Sequence, residues 1–147
     1  MEITVEIPGD AVPQPRARST RGGRMYTPDN GIVVFKQAVG LLVTAEARRQ
    51  RIAVSEAAAF VLEVECVFAR PPSHLTAAGE LRASAPAWPG LRCGDWDNLA
   101  KGVADAVTKT GVIWHDDTQV VDGRCRKRYA SRGEPARTIV TIRSVPP

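Results

Sequence analysis

Residues 95 to 129 have the sequence DWDNLAKGVADAVTKTGVIWHDDTQVVDGRCRKRY. Apolar side chains recur at helical spacing from residue 98 to 109, and Gly111 is a typical stop signal, so this part predicts a helix. Residues 120 to 129 follow as a predicted strand. The segment therefore predicts a helix leading into a strand, with aspartates at the start of the helix and again just before the strand.

On either side of this segment, alternating apolar and polar residues and a second helical pattern supply the other elements. They are strands over residues 2–7, 60–68 and 138–143 and a long helix over residues 29–49. The stretches 8–28 and 70–94 are punctuated by proline and glycine and predict long loops. The order β, α, β, α, β, β favours a single domain over residues 1–147, of the α/β or α+β class, with a mixed sheet and packed helices.

The composition is that of an ordinary globular protein, with 44% hydrophobic and 24% charged residues, and it argues against a disordered or fibrous chain. The three cysteines lack the spacing of a disulfide framework or a zinc site, so we expect reduced thiols. The N-terminal residues lack the basic stretch followed by an apolar stretch that is typical of a signal peptide, and no apolar run has membrane-spanning length. We therefore expect a cytoplasmic protein that has no membrane partner.

Charge is unevenly distributed, although a net charge of +4 by itself indicates a nucleic-acid partner only weakly. Residues 95–122 contain six aspartates and two lysines, and basic residues flank this acidic centre. The arginines that we predict to contact DNA are Arg16, Arg18, Arg21 and Arg24 before it and Arg124, Arg126 and Arg128 after it. A charged stripe on a strand is also typical of a solvated sheet face, so both interpretations stay open for the second group.

Asp95 and Asp97 stand where the predicted helix begins. Asp and Asn are preferred N-cap residues, so capping is the ordinary explanation for the run from Asp95 to Asn98. Capping needs only one carboxylate, however, and a second one nearby adds repulsion unless a cation lies between them. Because Mg²⁺ takes carboxylate oxygens as ligands, the pair is also a candidate metal site.

Asp116 and Asp117 form a second acidic group, between an apolar run and the predicted strand. Aspartate pairs are common in solvated turns, and that explanation is the default. Because this pair stands at the start of a strand, a single turn would bring it next to the opening of the preceding helix. We therefore expect it to converge on Asp95 and Asp97, an arrangement that recurs in enzymes that cleave phosphodiesters with magnesium.

Lys101 and Asp105 follow Asp97 at four and eight residues, so all three lie on one side of the predicted helix. A surface ion pair is one explanation for Lys101 and Asp105, and it stays open. Lys101 also stands one turn from the carboxylates, where its ammonium would reach a phosphate oxygen and oppose the charge of the transition state.

These motifs resemble a known family. The runs DWDNLAK at residues 95–101, DAVTK at 105–109 and DDTQVVD at 116–122 resemble the signature of RusA-type Holliday junction resolvases. The opening runs PQPRAR at residues 13–18 and GGRMYTP at 22–28 are similar to the looser N-terminal motif of phage and prophage members. The resemblance spans most of the chain and implies a RusA-like fold.

The resemblance implies a homodimer that binds four-way DNA junctions and cuts two opposed strands with Mg²⁺, or with Mn²⁺ in its place. By position, it assigns catalysis and metal binding to Asp95, Asp97 and Asp117, and the catalytic lysine to Lys101. We expect supporting roles for Asn98, Asp105, Asp116 and Asp122. Two alternatives stay open: a nuclease that acts on other branched DNA, such as flaps and forks, and a branched-DNA binder without catalysis.

Overall fold

The computed structural model describes residues 1–146 of the chain. In chain order its strands and α-helices are β1 (Glu2–Pro8), β2 (Arg18–Ser19), β3 (Met25–Tyr26), α1 (Ile32–Arg49), β4 (Ala59–Phe68), α2 (Trp96–Thr110), β5 (Val120–Tyr129) and β6 (Arg137–Val145). Short 3-10 helices lie in the connections, at Pro72–His74, Leu91–Cys93 and Asp117–Gln119. This mixed α/β content confirms the predicted fold class.

Within residues 1–146, four strands form a mixed sheet in the order β1-β6-β4-β5, and β2 and β3 form a separate hairpin. β6 is antiparallel to both of its neighbours, so Val140 lies opposite Val5 on one side and Val64 on the other. β4 and β5 are parallel, with Val64 opposite Cys125. A parallel pair needs a crossover connection, and α2 provides it. α2 therefore runs back along the sheet from the end of β4 towards the start of β5.

Both helices pack on one face of this sheet. On β1 and β4, buried residues such as Val5 and Val64 alternate with more exposed ones and meet the helices. Each aliphatic side chain of this kind contributes about 1.5–3 kcal/mol by leaving water. Trp114, in the connection from α2 to β5, is fully buried, and its Nε1 donates a hydrogen bond of 2.8 Å to Thr108 Oγ1. The connection before β5 is thereby anchored to the core.

The helix boundaries differ slightly from the predicted ones. The long predicted helix begins only at Ile32, because Asp29 Oδ1 accepts a hydrogen bond of 2.9 Å from the Gly31 amide and Gly31 turns the chain at a φ of 93°. α2 begins at Trp96, before its predicted start, because Asp95 takes the N-cap position. No helix in residues 1–146 is long and apolar enough to cross a lipid bilayer.

The two ends of α2 lie at opposite edges of the sheet. Where β4 and β5 finish, Lys127 Nζ donates a hydrogen bond of 2.8 Å to the carbonyl of Gly94, just before α2. Where β4 begins, Gln119 Nε2 donates a hydrogen bond of 2.9 Å to the carbonyl of Ala58. The residues that precede α2 thus lie at the carboxyl end of the parallel strands, and the residues that precede β5 lie at their amino end.

Candidate active site

Asp95 occupies the N-cap position of α2, with extended backbone. Its carbonyl accepts a helical hydrogen bond of 3.1 Å from the Leu99 amide, but its side chain makes no capping bond. The carboxylate is 57% exposed, and its Oδ2 lies 3.9 Å from Nη2 of Arg16. The capping explanation therefore does not hold for this side chain, and its oxygens are available to a ligand.

Gly94 determines how the chain reaches the acidic pair. Its φ is 84°, and a Cβ at this position would lie 2.6 Å from the Pro13 side chain, so the backbone and the close approach both require glycine. Gln14, which follows Pro13, donates a hydrogen bond of 2.9 Å from its amide to the carbonyl of Asn98. The N-terminal segment is thereby fixed across the start of α2, which places Arg16 beside the acidic pair.

Asp97 is an exposed residue of the first turn of α2, one turn before Lys101. Lys101 Nζ lies 3.6 Å from Asp105 Oδ1, and the lysine side chain is 61% exposed. Lys36 of α1 binds the other oxygen of Asp105 at 3.0 Å. Asp105 therefore joins α1 to α2 through an ion pair, whereas Lys101 keeps an accessible ammonium on the side of the helix that carries Asp97.

Asp116 and Asp117 lie in the turn before β5. Asp116 caps the short 3-10 helix there, and hydrogen bonds from the hydroxyl and then the amide of Thr118 lower the pKa of its carboxyl. Asp117 is the first residue of that 3-10 helix, and it is exposed. Of the two, Asp116 is engaged in holding the turn, and Asp117 presents its carboxylate to solvent.

Within residues 1–146, no three acidic, histidine or cysteine side chains lie close enough to hold one metal ion. Asp95 and Asp97 lie at one end of α2, and Asp117 lies beyond its other end. The predicted convergence of these aspartates within a single chain is therefore wrong, because the crossover from β4 to β5 separates them by the length of the helix. The start of α2 fits a divalent cation in part, since it supplies two exposed carboxylates.

A known family matches nearly the whole chain: the family model described as endodeoxyribonuclease RusA covers residues 8–143. The chain belongs to the RusA family. It is therefore an endodeoxyribonuclease, of a family that resolves Holliday junctions in DNA recombination, acts on branched DNA and in general depends on a divalent metal. A search of curated proteins gives no match.

In this RusA protein, the first group of predicted DNA-binding arginines lies on the N-terminal segment. Arg18 belongs to β2, and Arg21 and Arg24 lie in the turn of the β2–β3 hairpin. All three are exposed, and the turn is closed by Thr20, whose amide donates a hydrogen bond of 2.9 Å to the carbonyl of Arg24. Together with Arg16 they form a basic segment that begins beside Asp95.

The second group, Arg124, Arg126 and Arg128 on β5, shares the sheet face of Glu65, which is the face away from the helices. Arg128 is only 23% exposed and donates hydrogen bonds to Glu134 at 2.6 and 2.7 Å and to Glu65 at 2.9 Å. These hydrogen bonds raise the pKa of Arg128. The contacts of Arg128 favour a structural role, whereas Arg124 and Arg126 remain exposed.

The predicted supporting residues are spread over the RusA fold. Asn98, the residue directly after Asp97, accepts the hydrogen bond from the N-terminal segment through its backbone carbonyl. Asp122 lies on the face away from the helices, with its Oδ2 3.6 Å from Nη2 of Arg124. Asp105 and Asp116 hold the helix pair and the turn before β5, respectively. Of these four residues, only Asn98 is next to a proposed metal ligand in the chain, directly after Asp97.

The sequence patterns missed side chains on the helix-facing side of β5. Lys127 bonds to Gly94, and the ring of Tyr129 supports the guanidinium of Arg70, 4.3 Å from the ring centre. Tyr129 and Arg70 also line a cavity of about 730 Å³ at the carboxyl end of the sheet. The signal that would have found them is the same period-two alternation that selected the arginines, displaced by one residue.

Proposed function

We propose that this RusA protein resolves four-way DNA junctions in recombination and repair by Mg²⁺-dependent paired strand cleavage. In this proposal the metal ligands are Asp95 and Asp97 together with the partner's Asp117 in the homodimer, since Asp117 lies beyond the other end of its own α2. Lys101 is the catalytic phosphate contact. The observation that carries the proposal is that the carboxylate of Asp95, at the N-cap of α2, makes no capping hydrogen bond. An N-cap side chain gains about 1 kcal/mol by capping, so its release from that role favours a ligand function.

The residues at the start of α2 suit phosphodiester hydrolysis. Mg²⁺, or Mn²⁺ in its place, held by these carboxylates would activate a water for in-line attack and stabilise the leaving oxygen. Lys101 lies one turn further on the same side, where its ammonium would meet a phosphate oxygen and oppose the charge of the transition state. Arg16, 3.9 Å from Asp95, would bind a neighbouring phosphate and position the strand.

Other residues would support this chemistry without binding the metal. They would hold the surrounding backbone and charged side chains in place, and they are Asn98, Asp105, Asp116 and Asp122. The phosphates of the junction arms would be contacted by the basic hairpin segment, Arg16, Arg18, Arg21 and Arg24, and by Arg124 and Arg126 of β5. Arg128 is held instead by Glu134 and Glu65. A two-fold homodimer would match the symmetry of the two cuts. The three free cysteines suit the reducing cytoplasm, where we place the protein.

The decisive experiment compares wild-type protein and Asp97→Asn on synthetic four-way junctions, flaps, forks and plain duplex at one fixed salt concentration. We expect Mg²⁺-dependent cleavage of the junction in preference to the other substrates, with loss of activity in EDTA. A metal ligand contributes several kcal/mol to transition-state stabilisation, so Asp97→Asn should lower the rate by about 10²-fold or more.

Glu2→Gln is the matched control, because it removes an exposed carboxylate from the edge strand β1 and should leave cleavage unchanged. Full activity of Asp97→Asn, or equal cleavage in EDTA, would contradict the proposed site. A preference for flaps or forks would assign a different branched substrate, and tight junction binding without cleavage of any substrate would support a binder that has lost catalysis.

A further inference from the structure

We propose that the cavity at the carboxyl end of the sheet binds an unpaired nucleotide of the cleaved strand, with its base against the wall that Arg70 and Tyr129 form. This inference rests on the proposed function and adds a contact by which the protein selects where it cuts. It follows from the shape of the cavity, from the side chains that line it, from its charge and from its position beside the acidic pair.

The cavity, about 730 Å³ in volume, lies between two connections of the chain. The connection after β4 supplies Arg70 and Leu81, and the turn between β5 and β6 supplies residues 130–134. The Ala130 amide donates a hydrogen bond of 2.8 Å to the carbonyl of Phe68, so the two connections leave the sheet side by side. The volume is within the range of about 300–1,000 Å³ that is usual for ligand sites.

The wall on the side of β4 is a small hairpin. Leu75 pairs with Leu81 in an isolated β-bridge. Between them, the Thr76 amide donates a hydrogen bond of 2.8 Å to the carbonyl of Glu80, and the Gly79 amide donates one of 2.9 Å to the carbonyl of Thr76. Because these hydrogen bonds form the wall before a ligand arrives, binding does not have to order it, which lowers the entropic cost of association.

Arg70 and Tyr129 bring two planar groups to the lining. The guanidinium carbon of Arg70 lies 4.3 Å from the centre of the Tyr129 ring, and its Nη1 donates a hydrogen bond of 2.8 Å to the carbonyl of Pro86. His74 meets the same ring edge-on, with 5.3 Å between the ring centres. Unpaired bases stack on aromatic rings and on guanidinium planes. The fixed pair therefore suits a base better than it suits a flexible apolar ligand.

The cavity carries an excess of positive charge. Arg70 and Arg132 line it, and neither forms an ion pair within residues 1–146. Of the two acidic residues in the lining, Glu134 is bound by Arg128 at 2.6 Å, whereas Glu80 is exposed. Two free arginines against one free carboxylate favour an anionic ligand, and a nucleotide joins a base to a phosphate.

The cavity also lies beside the acidic pair. Lys127 is bonded to the carbonyl of Gly94, directly before Asp95. Tyr129 follows Lys127 by two residues on the same face of β5, which is roughly 7 Å along the strand. One strand of B-form DNA advances about 3.4 Å per nucleotide. A DNA strand whose phosphate lies at Asp95 would therefore reach the cavity with a nucleotide about two positions away.

An unpaired nucleotide fits the lining better than an intact duplex does. A duplex keeps its bases inside the stack and presents phosphates, so it offers nothing to the apolar side chains of Leu75 and Leu81. Moving a base out of the stack costs least where pairing is already weakened, and the crossover of a branched substrate is such a place. The cavity would thus take its base from the crossover, next to the cut.

Junctions with a single abasic site test this contact. One base at a time is removed from the cleaved strand on either side of the cut, and wild-type cleavage is measured with Mg²⁺ at one salt concentration. We expect the rate to fall by about 10-fold at one position, about two nucleotides from the cut, because one stacked base is lost. Equal cleavage of every abasic junction would overturn the proposal.

Ser131→Trp tests whether the cavity is where the base binds. Ser131 is exposed and lines the cavity, so an indole at this position would take the space of the base. Ser73→Trp is the matched control, because Ser73 is exposed and lies outside the lining. We expect Ser131→Trp to cleave the intact junction about 10-fold more slowly and to lose nothing further at the sensitive abasic position.

Ser73→Trp should behave like the wild type, and both tryptophan variants should keep the wild-type melting temperature. If Ser131→Trp kept the full 10-fold sensitivity to the abasic site, the base would be bound elsewhere and the proposal would be wrong.

Arg70→Ala separates contact with the base from simple attraction to phosphate. Arg92→Ala is its control, because it removes one positive charge from an exposed residue of the same connection, outside the cavity. Only Arg70→Ala should abolish the sensitivity to the abasic site. If both variants weakened binding alike and kept that sensitivity, Arg70 would contact phosphate alone, and the stacking wall would be excluded.

The affinity of the wild type for the same junctions in EDTA makes this test independent of cleavage. We expect the abasic position that slows cleavage also to weaken binding. Wild-type protein that cleaves no branched DNA would contradict the proposed nuclease function, whereas cleavage and binding that ignore the loss of any base would contradict the nucleotide cavity alone.

Discussion

Lys127 on β5 donates a hydrogen bond of 2.8 Å from its Nζ to the carbonyl oxygen of Gly94, the residue directly before Asp95. The bond ties the loop that carries a proposed metal ligand to the edge strand of the sheet. Lys127→Met removes the bond while keeping the length of the side chain. Because a displacement of about 1 Å in an active site lowers rates by about 10²-fold, we expect a fall in kcat of about that size.

Single-turnover cleavage and junction affinity, measured at one salt concentration, distinguish a positioning role of Lys127 from an electrostatic contact between its charge and the DNA. Lys127→Arg keeps a donor and should recover part of the rate. If Lys127→Met weakened junction binding and left kcat unchanged, Lys127 would be a DNA contact and not a positioning residue.

Gly94 is the position at which a small substitution should do the most damage. Gly94→Ala places a Cβ 2.6 Å from Pro13 on a backbone with a φ of 84°, whereas Gly133→Ala has a similar φ of 77° and open space around it. Backbone strain costs about 1–3 kcal/mol at either position, and only Gly94→Ala must also displace Pro13. We expect both variants to have lower melting temperatures. Only Gly94→Ala should lose cleavage, because displacing Pro13 also displaces Arg16 three residues later.

Thermal unfolding and junction cleavage of the two alanine variants, measured side by side, check this expectation. Equal loss of cleavage in both variants would show that the contact between Gly94 and Pro13 does not position the site.

The parts of this fold that sequence predicts well are those in which burial repeats along the element. Val5 on β1 and Val64 on β4 belong to alternating patterns, and α2 has a clear apolar side. The β2–β3 hairpin has no such pattern, because its strands are two residues long and all of their side chains are exposed. Short paired segments of this kind are stabilised by turn hydrogen bonds, which leave no period in the sequence.

The candidate site, too, is only partly predictable from local sequence patterns. Asp97 and Lys101 share one helix, so their spacing alone predicts that they lie on the same side. The relation of Asp95 to Asp117 depends instead on the direction of β5, since a parallel partner of β4 sends the two ends of α2 to opposite edges of the sheet. Distances across a crossover, and contacts with a second chain, are not encoded in local spacing.

The hydrogen bond from Trp114 Nε1 to Thr108 Oγ1 should be important for stability. Thr108→Val keeps the shape of the side chain and leaves the buried indole N–H without an acceptor, which costs about 1–3 kcal/mol. Thr27→Val, at an exposed position between β3 and α1, should stay within about 0.5 kcal/mol of the wild type. Urea denaturation of both variants measures the difference, and equal midpoints would show that the indole N–H finds another partner.

The ion pair of Glu134 and Arg128 should make stability depend on pH in the acid range. Hydrogen bonds from Arg128 lower the pKa of Glu134 from 4.5 to about 2 in the folded protein. A lowered pKa means that the folded state favours the ionised carboxylate, so the contribution is fully present above pH 4.5 and is lost as the pH falls towards about 2. Glu134→Gln should therefore be less stable than the wild type at pH 7, with a gap that narrows below pH 4.5.

Urea denaturation of wild type and Glu134→Gln at a series of pH values follows this gap. In an Arg128→Met background the pH dependence of the effect of Glu134→Gln should shrink to the part that the Ser131 amide and Arg137 still cause. A gap that stays constant from neutral to acid pH in the wild-type background would rule out the ion pair as its source.

The same carboxylate decides whether Arg128 is available to DNA. In the wild type, Glu134 occupies both terminal nitrogens of Arg128 at 2.6 and 2.7 Å, so the guanidinium has little to offer a phosphate. Glu134→Gln removes that negative charge, and one more phosphate contact would steepen the dependence of log affinity on log salt by about 0.9. We expect tighter junction binding at low salt with this steeper slope, and no such change when Glu134→Gln is combined with Arg128→Met. An unchanged slope in the single variant would mean that Arg128 does not contact phosphates. At this position the row of arginines on β5 would then be the solvated face of a sheet.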